Sequence, residues 1–301
     1  MAKGQVLQGA FKYRVDIGPL LIVLATTSAA LLPFLFDLPL WLIVPLWLGV
    51  FYGRTFIPFI QHNHGHLPTF NFKALNWLFD IGLAQNTGYP TALWELQHNR
   101  GHHRHFLTPD DDVAAITYRG TKTVMPRWVY AMRGNVRIHR DAIRIGLAEG
   151  RAGRPTLLPK LAFETLCQIV LTVALLRWNT PLAIAFFVIP NFLSAFFIWW
   201  QSYPHHLEMP MTNAYDGSMT VENATYNRVT FNIGHHTAHH EKPTLHWSLL
   251  PARTAQIRER IHPACFRDGT ETVGNDILKD IKLTFSRMSS KTESSSGSAA
   301  E

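Results

Sequence analysis

Residues 17–66 read IGPLLIVLATTSAALLPFLFDLPLWLIVPLWLGVFYGRTFIPFIQHNHGH, two apolar stretches that end in a run of histidines. Residues 17–36 carry no charge and number about 20, enough to cross a hydrocarbon core of ~30 Å as a helix. Asp37 and Pro39 break that stretch, and residues 40–60 are apolar again apart from Arg54. A link this short allows only a helical hairpin. His62, His64 and His66 follow at its end. Two further apolar stretches lie at 161–176 and 181–203, with Arg177, Trp178 and Asn179 forming the turn between them. Glu164, near the start of the third, is expected at the interface. The pattern predicts an all-α integral membrane protein with four transmembrane helices and a cytoplasmic, histidine-rich helical cap. One domain is expected over 1–285, and a disordered, Ser-rich polar tail over 286–301.

Composition agrees with a chain that is only partly in lipid. Hydrophobic residues make up 47 %, yet the mean hydropathy is +0.00, below what a wholly embedded chain would show. Two cysteines, Cys167 and Cys265, exclude a disulfide framework and a thiolate metal motif. The net charge of +7 comes with basic residues that flank the apolar stretches, and no recognition fold is visible, so no nucleic-acid partner is expected. Lys3, Lys12 and Arg14 precede the first span, and its following turn has no Lys or Arg. The segment between spans two and three carries Arg119, Lys122, Arg127, Arg133, Arg137, Arg140, Arg144, Arg151 and Arg154. The positive-inside rule places the N-terminus, this segment and the C-terminus in the cytoplasm. A signal peptide is rejected for the first span, which lacks a small-residue cleavage site and is followed at once by a second span. Residues 72–84 are apolar but broken by Lys73 and Asp80, and are expected in the membrane interface. Residues 135–149 read as a basic amphipathic helix with Val136, Ile143 and Leu147 on one side, either solvated or lying on the membrane.

The 16 histidines are concentrated in four clusters, all on the predicted cytoplasmic side. His62 and His66 stand four apart and share one helix face if the second span continues past Arg54. His62 would then lie roughly 12 Å below Arg54, clear of the lipid core. His98 and His102 repeat that spacing, with His103 adjacent. His205 and His206 follow the fourth span. His236, His239 and His240 have the spacing i, i+3, i+4. Adjacent histidines point in different directions on a helix, so His102/His103 and His239/His240 can each serve two metals. His139 and His262 have no neighbours of their kind and read as ordinary surface or hydrogen-bonded residues. His64, His105, His235 and His246 are candidates for orienting a ligand or carboxylate rather than binding metal. Structural zinc takes four ligands and favours cysteine, and HExxH is absent. The ligand number favours two metals, while imidazole softness alone does not choose among zinc, copper, iron and nickel.

These motifs resemble the membrane fatty acid desaturase and hydroxylase superfamily, whose members carry three histidine boxes after paired spans. The boxes here are His62-x-x-x-His66, His98-x-x-x-His102-His103 and His236-x-x-His239-His240. Residues 227–251, NRVTFNIGHHTAHHEKPTLHWSLLP, look like the ending of the sphingolipid desaturase and carotenoid ketolase branches. His235 stands where those branches usually have Tyr, Ala238 where they have Glu, and Asn63 where many members have Asp. The resemblance implies two iron ions held by histidine, with an added ligand after the fourth span, for which His206 is preferred over His205. It implies an O2-dependent desaturase acting on a long acyl chain: a fatty acyl thioester, a lipid-linked chain or a free fatty acid. Hydroxylation, ketolation and oxidative decarboxylation are alternatives on the same scaffold. A metal transporter is disfavoured, because the spans hold almost no ionisable residues to form a path.

No fused cytochrome or rubredoxin motif is present, so a separate electron donor is implied, a ferredoxin or a b-type cytochrome with its reductase, docking on the cytoplasmic basic face. A bacterial inner membrane is favoured over the endoplasmic reticulum. Trp94, Trp199 and Trp200 can line a substrate tunnel, though membrane anchoring is the preferred reading of Trp199 and Trp200.

Overall fold

A computed structural model describes residues 9–111, 113–114, 116–118 and 123–269. Lys3, Arg119, Lys122 and the 286–301 tail lie outside the described residues. The described chain is mostly helical, and four of its helices are long and apolar enough to cross a membrane. Helix α1 covers Ile17–Leu35. Helices α2 (Leu40–Arg54) and α3 (Ile57–His66) follow one another in a rod of 27 residues. Helix α4 covers Lys73–Thr87 and α5 Thr91–Trp94, and α5 runs directly into a π-helical segment, Glu95–His103. Helix α6 (Arg127–Arg151) precedes the third span, α7 (Leu158–Trp178). The fourth span winds through α8 (Thr180–Ala183), a short π-helical turn and α9 (Ile189–His206), again 27 residues in all.

Those two long rods position the site. At 1.5 Å per residue each is about 40 Å long, about 10 Å more than a hydrocarbon core needs. The surplus lies at the C-terminal ends, where α3 carries His62 and His66 and α9 carries His205 and His206. The outward side chains of the spans are apolar, with Leu21, Trp41, Leu48, Leu166 and Val170 all exposed. A surface of that kind suits lipid and not water.

Several expectations need correction. Residues 73–87 do not simply skirt the bundle. Asn86 donates to Thr27 Oγ1 at 2.8 Å and Gln85 to the Gln168 carbonyl at 3.4 Å, both partners lying at the middle of their spans. The helix α4 therefore inserts between α1 and α7. Glu164, near the start of the third span, faces the protein interior. It is buried and accepts the Ala92 N–H at 2.8 Å, which ties α7 to the segment bearing the second box. Trp199 is not a membrane anchor. Its ring is buried against Gly134 of α6, where an added Cβ would fall inside the indole, and its N–H points to the Tyr89 hydroxyl at 3.3 Å. Trp200 stacks under the Arg127 guanidinium, 4.6 Å away.

After α9 the chain builds the cap. Strands β1 (Thr220–Val221) and β2 (Phe266–Arg267) form a minimal parallel pair. Helices α10 (Ala224–Val229), α11 (His236–Glu241) and α12 (Leu250–Ile257) pack around Met219, Ile233, Ala238 and Ile257. The cap is tied to the start of α1 by Asp16, which receives hydrogen bonds from Trp247 Nε1 at 2.9 Å and His246 Nε2 at 3.1 Å.

Candidate metal centre

Three pieces of local structure aim the histidines. In α3 the normal helical spacing puts His62 and His66 on one face, their rings 4.8 Å apart. In the second box the winding is different. A π-helix closes i→i+5 bonds, so residues five apart align, and His98 shares its face with His103 rather than with His102, as regular α-helical spacing predicts. The third box lies on α11, which enters through two successive left-handed residues, Phe231 (φ 51°) and Asn232 (φ 63°). Strain of this kind persists where surrounding contacts hold it. Here Asn232 N–H bonds the Asn227 carbonyl at 2.8 Å, and Asn227 Nδ2 bonds the Val221 carbonyl at 2.7 Å. Gly234 is required beside them, because a Cβ there would crowd Asn227 and Tyr226.

The result is two separate groups of imidazoles. His62, His66, His98, His103 and His239 form one, and His102, His206, His236 and His240 the other; within each group the facing nitrogens all lie within 4.8 Å of one another. Neighbours in sequence go to different groups: His102 and His103, His239 and His240. His206 joins the second group. His205 stays outside it, its ring 4.2 Å from that of His236.

The contact distances test whether the groups fit metal. His98 Nε2 lies 3.0 Å from His62 Nε2 and 3.1 Å from His103 Nε2. His103 Nε2 also lies 3.0 Å from His239 Nε2. In the second group His240 Nε2 lies 3.2 Å from both His102 Nε2 and His236 Nε2. An imidazole nitrogen has either one proton or one lone pair, so His98, His103 and His240 cannot satisfy two such contacts by hydrogen bonding. A shared cation satisfies all of them. The five-histidine group also offers more ligands than the four of a structural zinc site.

Protonation agrees. Burial, reinforced by repulsion among the neighbouring rings, holds His98, His103, His236, His239 and His240 well below the ordinary imidazole pKa. Their lone pairs are therefore available at neutral pH.

Outer contacts fix the ring orientations. The His102 Nδ1–H points at the Asp111 carboxylate, 2.8 and 2.9 Å from its two oxygens. Burial alone would raise the Asp111 carboxyl, but the His102 ring and backbone N–H donors hold it below the usual carboxylate range, hence ionised. The His206 Nδ1–H donates to the Gly217 carbonyl at 2.7 Å. His64 accepts the Thr69 N–H at Nδ1, which leaves its Nε2–H facing Asp80 at 3.2 Å. Asp80 also faces Lys160 Nζ at 3.1 Å, and Lys160 pairs with Glu95 and Glu164. This network joins α3, α4, the π-helical segment and α7 around the first two boxes. His235 bonds Thr254 at 2.9 Å, His105 lies outside both groups, and His262 accepts the Ala264 N–H at 3.2 Å. His139 likewise stays apart.

Sequence reasoning missed Asp111, although the run Asp110–Asp112 just after the second box was a usable signal.

Among known families, the fatty acid desaturase model matches residues 39–269, which takes in three spans and all three boxes. No curated protein matches the sequence significantly. The match extends over most of the chain and coincides with the two imidazole groups, and the chain therefore belongs to the fatty acid desaturase family of diiron oxidoreductases.

Proposed function

We propose that each histidine group holds one iron and that the enzyme uses O2 to place a double bond in a long acyl chain. The ligands would be His62, His66, His98, His103 and His239 on one side and His102, His206, His236 and His240 on the other. The observation that carries this reading is the set of nitrogen–nitrogen spacings of 3.0–3.2 Å in two separate groups. Bound iron supplies the oxidising power for an unactivated C–H bond. Two hydrogens leave neighbouring carbons of the chain, a donor supplies two electrons and two protons, and O2 becomes two waters. The protein's own residues keep the site in order. Asp111 and the Gly217 carbonyl hold His102 and His206 in the tautomer that turns Nε2 inward, and burial of the groups excludes bulk water. An apolar chain suits such a site, since each buried methylene contributes about 0.8 kcal/mol.

The donor would be a ferredoxin or a b-type cytochrome with its reductase. A crevice of about 250 Å³ between α6 and the second box, bordered by His105, Asp110, Asp141 and Arg144, reaches His102 and offers a route toward the site. The protein would lie in a bacterial inner membrane with the histidines on the cytoplasmic side, as the Lys/Arg asymmetry suggests. The test is expression with a compatible reductase, followed by gas chromatography of total fatty acids. One new double bond with O2 consumption is expected. A hydroxylated or chain-shortened product would assign the chain to hydroxylation or decarboxylation. No change in any acyl species, with oxygen, iron and a proven donor supplied, would remove acyl lipids as substrates.

A further inference from the structure

Helix α6 is not one of the four spans, yet it leaves a row of large apolar side chains exposed. Trp128, Met132, Val136, Ile143 and Leu147 are all exposed, Val136 to 72 %. At about 100° per residue they form one stripe, about 100° wide, along a helix of 25 residues. A continuous apolar surface of that kind marks a contact rather than a wet face.

The two edges of the stripe differ. Arg133, Arg140, Arg144 and Arg151 fall along one edge, in a band about 40° wide. Arg140 pairs with Asp141 at 2.9 Å. Arg144 and Arg151 are exposed and have no acidic partner among the described residues. Along the other edge lie Asn135 and His139, which border a groove walled by Ile169 and Val173 of α7 and by Val188 and Phe192 of the fourth span. Those four wall residues belong to the exposed apolar surface of the bundle.

The buried face of α6 sets its depth. Gly134 packs against the Trp199 ring and Gly146 against Leu158, the first residue of α7. Trp199 stands seven residues, about 10 Å, before the end of the fourth span at His206, and that rod exceeds the hydrocarbon core by about 10 Å. Trp199 and Leu158 therefore both mark the cap-side edge of the hydrocarbon, and α6 bridges them along it. Its groove edge points toward the lipid-facing walls of the spans, and its arginine edge points away from them, toward the headgroups.

We infer that α6 is an interfacial helix that binds the anionic phospholipid surface of the cap-side leaflet. The stripe sinks among the upper acyl segments, and Arg144 and Arg151 meet lipid phosphates. The stripe's continuity with the lipid-facing walls selects a bilayer over a soluble protein as its partner, and the arginine edge selects anionic lipid. The same helix holds the second box, because Glu149 receives a hydrogen bond from Arg100 and lies 3.9 Å from Arg104. Lipid contact on α6 thus sets the height of the histidines relative to the bilayer. This placement holds whatever reaction the metal centre performs.

The test uses the full-length, metal-loaded protein in bilayers of equimolar phosphatidylglycerol and phosphatidylcholine. A fluorophore is attached at Val136→Cys, in a chain carrying Cys167→Ser. Labels at Val170→Cys on α7 and Ala255→Cys on α12 serve as the lipid and aqueous standards; all three sites are exposed. The label at 136 should be quenched by a spin label high on the lipid acyl chain and shielded from iodide, as at 170. Iodide quenching equal to that at 255 would put the stripe in water and overturn the proposal. Shielding from both quenchers would show that a second copy or another protein segment covers it, and would overturn it equally. Lipid retained after detergent extraction reads the arginine edge. Phosphatidylglycerol should be enriched about fivefold over phosphatidylcholine, the preference expected of one arginine at an anionic surface. Arg144→Gln combined with Arg151→Gln should bring the ratio close to one, and Lys at both positions should restore it. Equal enrichment in the wild type and the doubly substituted Gln protein would leave these arginines to an aqueous partner, such as an acidic protein, and refute the lipid assignment.

Discussion

Asp111→Asn isolates one of the two metal sites. Asp111 is 3 % exposed and His102 is 2 % exposed, and the carboxylate accepts the His102 Nδ1–H at 2.8–2.9 Å. A buried hydrogen bond to a charged group contributes about 1.5–3 kcal/mol. At about 1.4 kcal/mol per decade this corresponds to a loss of about 10–100-fold in affinity, the range seen when the outer partner of a metal-bound histidine is removed. Asparagine can still present an oxygen to Nδ1–H, so it should fall near the lower end and Asp111→Ala near the upper. His102 belongs to the group with His206, His236 and His240, so only that site should weaken. Chelator competition on detergent-purified protein, followed by metal analysis, reads this directly. One metal should be stripped at a lower chelator concentration than in the wild type while the other is held as before. Retention of both metals at wild-type affinity, or equal weakening of both, would show that Asp111 does not act through His102 in a separate site.

Other consequences follow from the same geometry. His239→Ala and His240→Ala, one residue apart, should each remove metal from a different group, leaving about one metal per chain; metal analysis that finds the same group emptied by both would contradict the assignment. Lys160→Met leaves Asp80, Glu95 and Glu164 without their cation, and unpaired buried carboxylates cost about 3–5 kcal/mol, here toward the lower figure because Lys160 is partly exposed. Thermal melting should fall sharply, and an unchanged melting temperature would remove this network as a support of the boxes. Acid should destabilise the metal-free protein. The folded imidazoles lie below the ordinary value of 6.5, so the unfolded chain binds more protons just under that pH. The stability present above pH 6.5 is therefore lost as pH falls toward the folded-state values, and melting temperatures should be flat from pH 8 to 7 and drop below 6.5. Melting that improves on acidification would refute the neutral assignment.

Much of the architecture was legible because lipid imposes a simple rule on sequence. Residues 17–36 and 181–203 lack charges and end at turn residues, and they match α1 and the fourth span closely. The box histidines were legible from their density alone. What spacing could not reveal was their division between two sites. That depends on the π-helical winding of Glu95–His103, which pairs His98 with His103, and hydrophobic periodicity carries no sign of it. Depth was also hidden. Residues 72–84 carry Lys73 and Asp80 and read as interfacial; Asp80 answers His64 and Lys160, and just beyond that stretch Gln85 and Asn86 bond the middle of neighbouring spans. Trp199 near a span end resembled an anchor, because only the tertiary approach of Gly134 reveals that the ring is inside.

Two neighbouring, separately built histidine groups should each hold an iron. Metal analysis of protein purified under conditions that retain native metal reads how many are bound and of what kind. About two irons per chain are expected from the two groups, and one zinc per chain with no iron would contradict that occupancy.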